Sequence, residues 1–254
     1  MNSWRLLLTR SAPDCQLQAD HLAELGIISE CLPLLEIIPL PETATQRSQL
    51  LDFDRYTTLI VISKPAAKLI LERLDYYWPQ LPIQQTWFTV GKATAEILLE
   101  ANLNVHYPTL GDDSEALWQL ADFQESLANP QCRVLIIKGQ EGRQWLTEKL
   151  QLSGIATETM ELYHRQAPNY TEEFLWQQLS HKNINAIVIS SGQALHNLHQ
   201  LVTENWQKLV QMPVFVPSQR VAEQATNLGI RQIINCNGAS IDALIAALKN
   251  HQAP

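Results

Sequence analysis

Leu7-Leu8-Thr9-Arg10 is followed 16 residues on by Gly26, and Leu135-Ile136-Ile137-Lys138 is followed 16 residues on by Gly154. Leu22 and Leu150 fall at the same offset inside the two stretches. Two more pairs match. Ile60-Val61-Ile62-Ser63 resembles Ile187-Val188-Ile189-Ser190, and Trp87-Phe88-Thr89-Val90-Gly91-Lys92-Ala93-Thr94-Ala95 resembles Val214-Phe215-Val216-Pro217-Ser218-Gln219-Arg220-Val221-Ala222. Each copy reads as a short apolar strand, a small or basic residue, then an amphipathic helix. The repeat predicts two similar α/β lobes whose helix N-termini face a shared cleft, a geometry suited to a multiply anionic ligand.

Working outward, apolar runs at 5–9, 58–62, 86–90, 133–137, 186–189, 214–216 and 231–235 read as strands, each followed by a helical pattern. Residues 30–38 and 157–164 read as two further strands placed equivalently in their halves, able to pair as a two-stranded connection. The polar stretch after Pro39 reads as a departure from the first lobe. The helix after Ser63 is expected to close near Leu74, and a single helix to run through Leu127. Repeated β-α-β units favour parallel sheets flanked by helices on both faces. The predicted lobes are 1–38 with 167–254, and 42–160, joined by connections at 36–41 and 161–166.

A chain of 254 residues with 46 % apolar content can bury one large core or two smaller ones. No apolar run approaches the roughly 20 residues that span a bilayer, and Arg5 and Arg10 bracket the short apolar stretch at the N-terminus, against a secretory signal. A membrane partner is therefore not expected. The four cysteines, at 15, 31, 132 and 236, lack close spacing, so they read as buried or incidental thiols in a reducing cytoplasm. His196 and His199 can share a helix face without a third ligand near them, so no metal site is expected. A formal charge of -8 argues against nucleic acid as a partner. It leaves room for an anionic small molecule in a locally positive cleft.

In open parallel sheets, ligands meet the carboxyl ends of strands. That places Arg10, Ser63, Gly91, Lys92, Thr94, Lys138, Gly139, Arg143, Ser190, Ser191, Gly192, Ser218 and Arg220 among the candidates. Ser63, Ser190 and Ser218 read equally well as helix N-caps, and Arg143 and Arg220 as solvated helix surface. Neither Gly-x-x-x-x-Gly-Lys-[Ser/Thr] nor a complete Gly-x-Gly-x-x-Gly is present, which weakens a nucleotide reading. Tyr163, in Glu161-Leu162-Tyr163-His164-Arg165, stands at the predicted crossing between lobes. Its phenol can serve a departing hydroxyl as proton donor, or its ring can simply pack there.

Taken in order, Leu6-Leu7-Leu8-Thr9-Arg10, Leu32-Pro33-Leu34-Leu35-Glu36, Thr89 to Thr94, Pro108 with Ser114 to Leu117, and Lys138 to Arg143 resemble the uroporphyrinogen-III synthase family. Gly154, Tyr163-His164-Arg165, Ser190-Ser191-Gly192, Val214 to Ser218, Ala222, Ala225 and Gly229 extend the likeness over nearly the whole chain. The resemblance implies a cytoplasmic, monomeric, cofactorless lyase of porphyrin biosynthesis. Its substrate would be the linear tetrapyrrole hydroxymethylbilane, closed to uroporphyrinogen III with loss of water and inversion of the terminal ring. It implies Tyr163 as the group assisting departure of the hydroxyl. It also implies the serine, threonine, glycine and basic residues named above as holders of substrate carboxylates. A transient contact with the preceding pathway enzyme is a further expectation. Two departures stand out: Ser63-Lys64-Pro65-Ala66, where Ser-x-Asn is common, and Lys138, where arginine is frequent. They leave a rival reading, a noncatalytic two-lobed sensor of another anionic metabolite.

Overall fold

The computed structural model describes all residues except 1, 2 and 143. Its backbone divides into two compact units, Met1–Glu36 with Gln166–Pro254 (unit 1) and Ile37–Arg165 (unit 2). In chain order the chain opens with Arg5–Leu8 (β1), Asp14–Glu24 (α1) and Ile28–Cys31 (β2). Glu36–Pro39 (β3), Ala44–Leu51 (α2), Thr58–Val61 (β4), Lys64–Tyr77 (α3), Thr86–Thr89 (β5), Lys92–Glu100 (α4) and Val105–His106 (β6) follow. Next come Ser114–Gln119 (α5), Ala121–Leu127 (α6), Arg133–Gly139 (β7), Trp145–Leu152 (α7) and Ala156–Gln166 (β8). Unit 1 resumes with Glu172–His181 (α8), Ala186–Val188 (β9), Gly192–Leu201 (α9) and Trp206–Leu209 (α10). It ends with Pro213–Val216 (β10), Gln219–Asn227 (α11), Gln232–Asn235 (β11) and Ile241–Asn250 (α12).

Among the described residues unit 1 holds one sheet in the order β2-β1-β9-β10-β11, all parallel. This is the 2-1-3-4-5 order of a doubly wound sheet. Unit 2 holds β8-β7-β4-β5-β6, again parallel, with β3 added beside β8. The repeated sequences occupy matching places: β1 and β7, β4 and β9, β5 and β10. Unit 2 is therefore a circular permutation of unit 1, entered at its third strand instead of its first.

Strand residues alternate between two cores, one on each face. In unit 1 Leu7, Ile187 and Val214 face one core, while Leu6, Leu8 and Phe215 face the other. In unit 2 Leu59, Leu135 and Trp87 face one core, and Ile60, Ile136 and Phe88 the other. A strand buried on both faces must be apolar throughout, which is why these strands read as unbroken hydrophobic runs. Each fully buried Leu, Ile or Phe contributes roughly 1.5–3 kcal/mol from removal of its surface from water.

Several boundaries differ from the sequence expectation. Residues 30–38 are not one strand: β2 joins the sheet of unit 1, the chain breaks across Leu32–Leu35, and β3 joins the sheet of unit 2. Pro33 lacks the N–H a continuous strand would need. The polar stretch after Pro41 contains α2, whose N-terminus is a capping box: Thr43 Oγ1 accepts from the Gln46 backbone N–H, and the Gln46 side chain accepts from the Thr43 N–H. Helix α3 runs on to Tyr77, and the helix through Leu127 is two helices broken at Leu120. Helices α8 and α10 are additional. Among the described residues no helix is long and apolar enough to cross a membrane.

At the start of α8, the half-buried Glu172 clamps the loop at 203–205. The Glu172 carboxylate accepts from the Asn205 side chain at 2.8 Å, the Trp176 indole at 3.1 Å, and the backbone N–H groups of Thr203, Glu204 and Asn205. These donors, Asn205 foremost, pull its pKa from 4.5 down to about 2. A depressed carboxylate stabilises the fold fully above its unfolded value and loses that contribution as pH falls from about 4.5 toward 2. Glu172→Gln is expected to lower the melting temperature at pH 7, and to lose less on acidification to pH 3 than the parent chain does. Parallel melting curves against pH for both proteins would refute this assignment.

Candidate active site

In a doubly wound sheet the crevice opens where strand order reverses, at the strands' carboxyl ends. In unit 2 that point lies between β7 and β4. Strand β4 leads through Ile62 to Ser63, which caps α3: its Oγ accepts from the Ala66 N–H at 3.3 Å, and Pro65 sits in the first turn, where no N–H is needed. Strand β7 ends at Gly139, and there its pairing with β8 slips: Lys138 faces Glu161 but Gly139 faces Tyr163. Bulges of this kind re-aim side chains beside functional sites. Here the slip lays the Tyr163 ring over Gly139. A Cβ on Gly139 would lie 2.6 Å from Tyr163 Cζ, so a side chain there would intrude on the ring.

Tyr163 is 1 % exposed. Its ring belongs to the core of unit 2, while its hydroxyl lies 2.9 Å from Ser63 Oγ and accepts from the Arg165 guanidinium at 3.2 Å. The Arg165 guanidinium carbon lies 5.5 Å from the centre of the same ring, in cation–π range. Lys138 is 5 % exposed; its ammonium donates to Gln144 Oε1 at 3.1 Å and lies 3.8 Å from a Glu161 carboxylate oxygen. A charge so buried needs such partners. Ser63, Lys138, Gly139, Tyr163 and Arg165 line one cavity of about 240 Å³. Chemically this is a hydroxyl pair, a guanidinium and an ammonium around a largely apolar chamber walled also by Ile62, Val90 and Leu146, with the carboxylates of Asp113 and Glu141 on its lining. It can give a proton and hold negative charge.

Gly91, Lys92 and Thr94 line a separate cavity of about 530 Å³ in unit 2, with Asp112 in its wall. Val90 is common to both cavities. Gly91 caps α4 with its backbone, Thr94 is buried in the first turn, and the Lys92 ammonium sits 3.6 Å from Glu96 on the exposed face.

In unit 1 the equivalent crossing lies between β1 and β9. There the Ser190 backbone N–H donates to Thr9 Oγ1 at 3.3 Å, and the Arg10 guanidinium donates to the Ala239 carbonyl. Arg10 and Ser190 border a space of only about 20 Å³, room for about one water. The cap of α9 is Ser191, whose Oγ accepts from Ala194 N–H at 3.1 Å, rather than Ser190. Strand register explains the shift: Ile60 faces Ile136 in unit 2 as Val188 faces Leu8 in unit 1, so Ser63 is matched by Ser191. Ser218 caps α11. Gly192 lies against Gln224 and the Arg220 guanidinium of α11, a contact a Cβ would obstruct. Arg143 lies outside the described residues.

Arg165 is the member of the unit 2 site that the sequence reading left out. Its signal was period two: Tyr163 and Arg165 share a face of β8. His199 packs edge-on against Trp206 at 4.7 Å. Among the described residues no three His, Cys, Asp or Glu side chains gather as a metal site.

The fold and site define a pair of permuted doubly wound units with a tyrosine–serine pair at one switch point. The family model for uroporphyrinogen-III synthase HemD matches residues 17–246. The chain is 30 % identical over 255 residues to uroporphyrinogen-III synthase of Escherichia coli (strain K12), covering 96 % of this chain and 99 % of that one. It is 28 % identical over 251 residues to the Salmonella typhimurium enzyme of the same name, at 96 % and 99 % coverage. The crystal structure of uroporphyrinogen-III synthetase from Helicobacter pylori 26695 superposes with a TM-score of 0.63 at 16 % identity, covering 98 % of this chain and all of that one, a likeness of fold. The chain belongs to the uroporphyrinogen-III synthase family, a family of enzymes in porphyrin biosynthesis.

Proposed function

We propose that this chain closes hydroxymethylbilane to uroporphyrinogen III, acting as a lyase without metal or organic cofactor. The observation that carries the reading is the Tyr163 hydroxyl, held 2.9 Å from Ser63 Oγ in a cavity that also presents Lys138. The reaction begins when the terminal hydroxyl leaves as water, taking a proton from the enzyme. Pyrrole nitrogen electrons stabilise the resulting carbocation, so modest acidity suffices. The ring at the other end of the chain attacks that cation through its substituted α carbon to form a spiro centre. The older bond from that carbon to its methylene then breaks, and the ring's unsubstituted α carbon bonds to the freed methylene, closing the macrocycle with the ring inverted. A pyrrole proton is lost at the end and restores the acid.

The harder task is holding a flexible chain of eight carboxylates in the reactive geometry, a matter of orientation more than of acid strength. Helix N-termini and small residues at the strand ends suit carboxylates. Ser63, Gly91 and Thr94 in unit 2, and Ser191, Gly192 and Ser218 in unit 1, are assigned that part. Lys138, Lys92, Arg10 and Arg220 add positive charge.

The test is to feed freshly generated hydroxymethylbilane to the purified protein, oxidise the products, and separate type I from type III porphyrins. Predominant type III above the protein-free control is expected. Type I alone, at the spontaneous rate and from folded protein, would overturn the reading and leave an anion-binding role in its place.

A further inference from the structure

Proton counting around Tyr163 points to a role for Arg165. The phenolic oxygen has one hydrogen and two acceptor sites, and so does Ser63 Oγ. The Arg165 guanidinium fills one site on Tyr163 and the Ala66 N–H fills one on Ser63. The 2.9 Å contact between the two hydroxyls uses one of their two hydrogens. Whichever oxygen donates, the other keeps a hydrogen, and both residues line the 240 Å³ cavity. Arg165 cannot accept that hydrogen, because a guanidinium has donors only. It therefore occupies an acceptor site on the phenolic oxygen without taking up the spare proton.

We propose that Arg165 is a positioning residue for acid catalysis, on the reading that the chain dehydrates and closes hydroxymethylbilane. When the substrate C–O bond breaks, the proton leaves with the hydroxyl as water, directly from Tyr163 or from Ser63 with Tyr163 replacing it. Either way negative charge settles on the phenolic oxygen. The guanidinium already hydrogen-bonded there, and stacked on the ring, holds that charge until the pyrrole proton of the closing macrocycle returns. With the proton gone the contact turns from a guanidinium–phenol hydrogen bond into a guanidinium–phenolate ion pair, so it strengthens as the proton departs. An interaction that grows in the transition state raises kcat and leaves substrate binding alone.

Arg165 is exposed, and its backbone N–H bond to Glu141 survives a side-chain change, so its variants should fold. Arg165→Gln is expected to lower kcat about tenfold, the worth of one hydrogen bond to a charged group, with KM nearly unchanged. Arg165→Lys should recover part of the loss, since an ammonium keeps the charge without the planar fork. In a Tyr163→Phe background, Arg165→Gln should cost nothing more, because the oxygen it serves is gone. A raised KM at constant kcat, or independent losses in the double variant, would overturn the proposal and make Arg165 a carboxylate holder. A second readout needs no turnover: with ¹³C-labelled tyrosine, Arg165→Gln should shift the ring signal that Tyr163→Phe deletes. An unmoved signal would overturn the contact itself. Loss of type III product from the parent protein would sink the synthase reading instead, leaving that signal to decide the contact.

Discussion

Tyr163→Phe is expected to slow macrocycle closure on the order of 10- to 100-fold, near the low end of what a positioned acid contributes. The low end follows from the substrate: a pyrrolic methyl alcohol ionises readily, so the acid has little to supply. Removing the hydroxyl leaves the ring in its core position among Leu162, Met160 and Ile137. The stability change should stay within about 1 kcal/mol, the net worth of one hydrogen bond. The ratio of type III to type I product should fall as well, because spontaneous closure competes once the enzyme slows. A parent-like rate from normally stable Tyr163→Phe protein would remove Tyr163 from catalysis and leave it a packing residue.

Gly139→Ala should do greater damage through a single methyl group. The added Cβ would stand 2.6 Å from Tyr163 Cζ and 2.7 Å from Cε2, distances no packed pair tolerates. The ring cannot swing aside cheaply, since it is buried and its hydroxyl is tied to Ser63 and Arg165. Overpacking of this kind costs about 1–3 kcal/mol. A displacement near 1 Å at a reacting group can cost about 100-fold in rate. Gly139→Ala is therefore expected to melt earlier and lose more activity than Tyr163→Phe. If the clash is the cause, Gly139→Ala should cost clearly less stability in a Tyr163→Ala background than in the parent chain. A fully stable, fully active Gly139→Ala would show that the ring is not held where it lies.

The repeated strand–helix plan is legible in the chain because doubly buried strands must be apolar at every position. Leu6-Leu7-Leu8 and Val134 to Ile137 signal their place with no help from tertiary context. What escapes is whatever depends on one polar group. Helix α2 buries Gln46 and Gln49 beside Leu50, so its inner face carries amides and gives no apolar stripe. Its Thr43–Gln46 capping box was the available sign. The Thr171 cap ahead of Glu172 and Glu173 announces α8 in the same way. The run from Glu30 to Ile38 misleads because strand residues flank Pro33 on both sides while belonging to different sheets. Among the candidate residues, the grouping of Ser63, Lys138, Gly139 and Tyr163 depends on the bulge between β7 and β8. No spacing rule reveals that. Ser190 and Ser191 are both plausible caps in sequence, and only strand register separates them.

The permutation also governs the order in which the units can be built during synthesis. Unit 2 is continuous, so every strand of its sheet has left the ribosome once Gln166 has. Unit 1 is not: its central strand β9 pairs Leu7 with Ile187, and until Ile187 emerges one edge of β1 has no neighbour in the sheet. The chain therefore carries a bare apolar edge, Leu6-Leu7-Leu8, through the whole making of its other half. An unpaired edge of that kind invites association with other chains. The nascent protein would need shielding there, and truncation before β9 should yield a product in which unit 2 is folded and the leading strand is sticky.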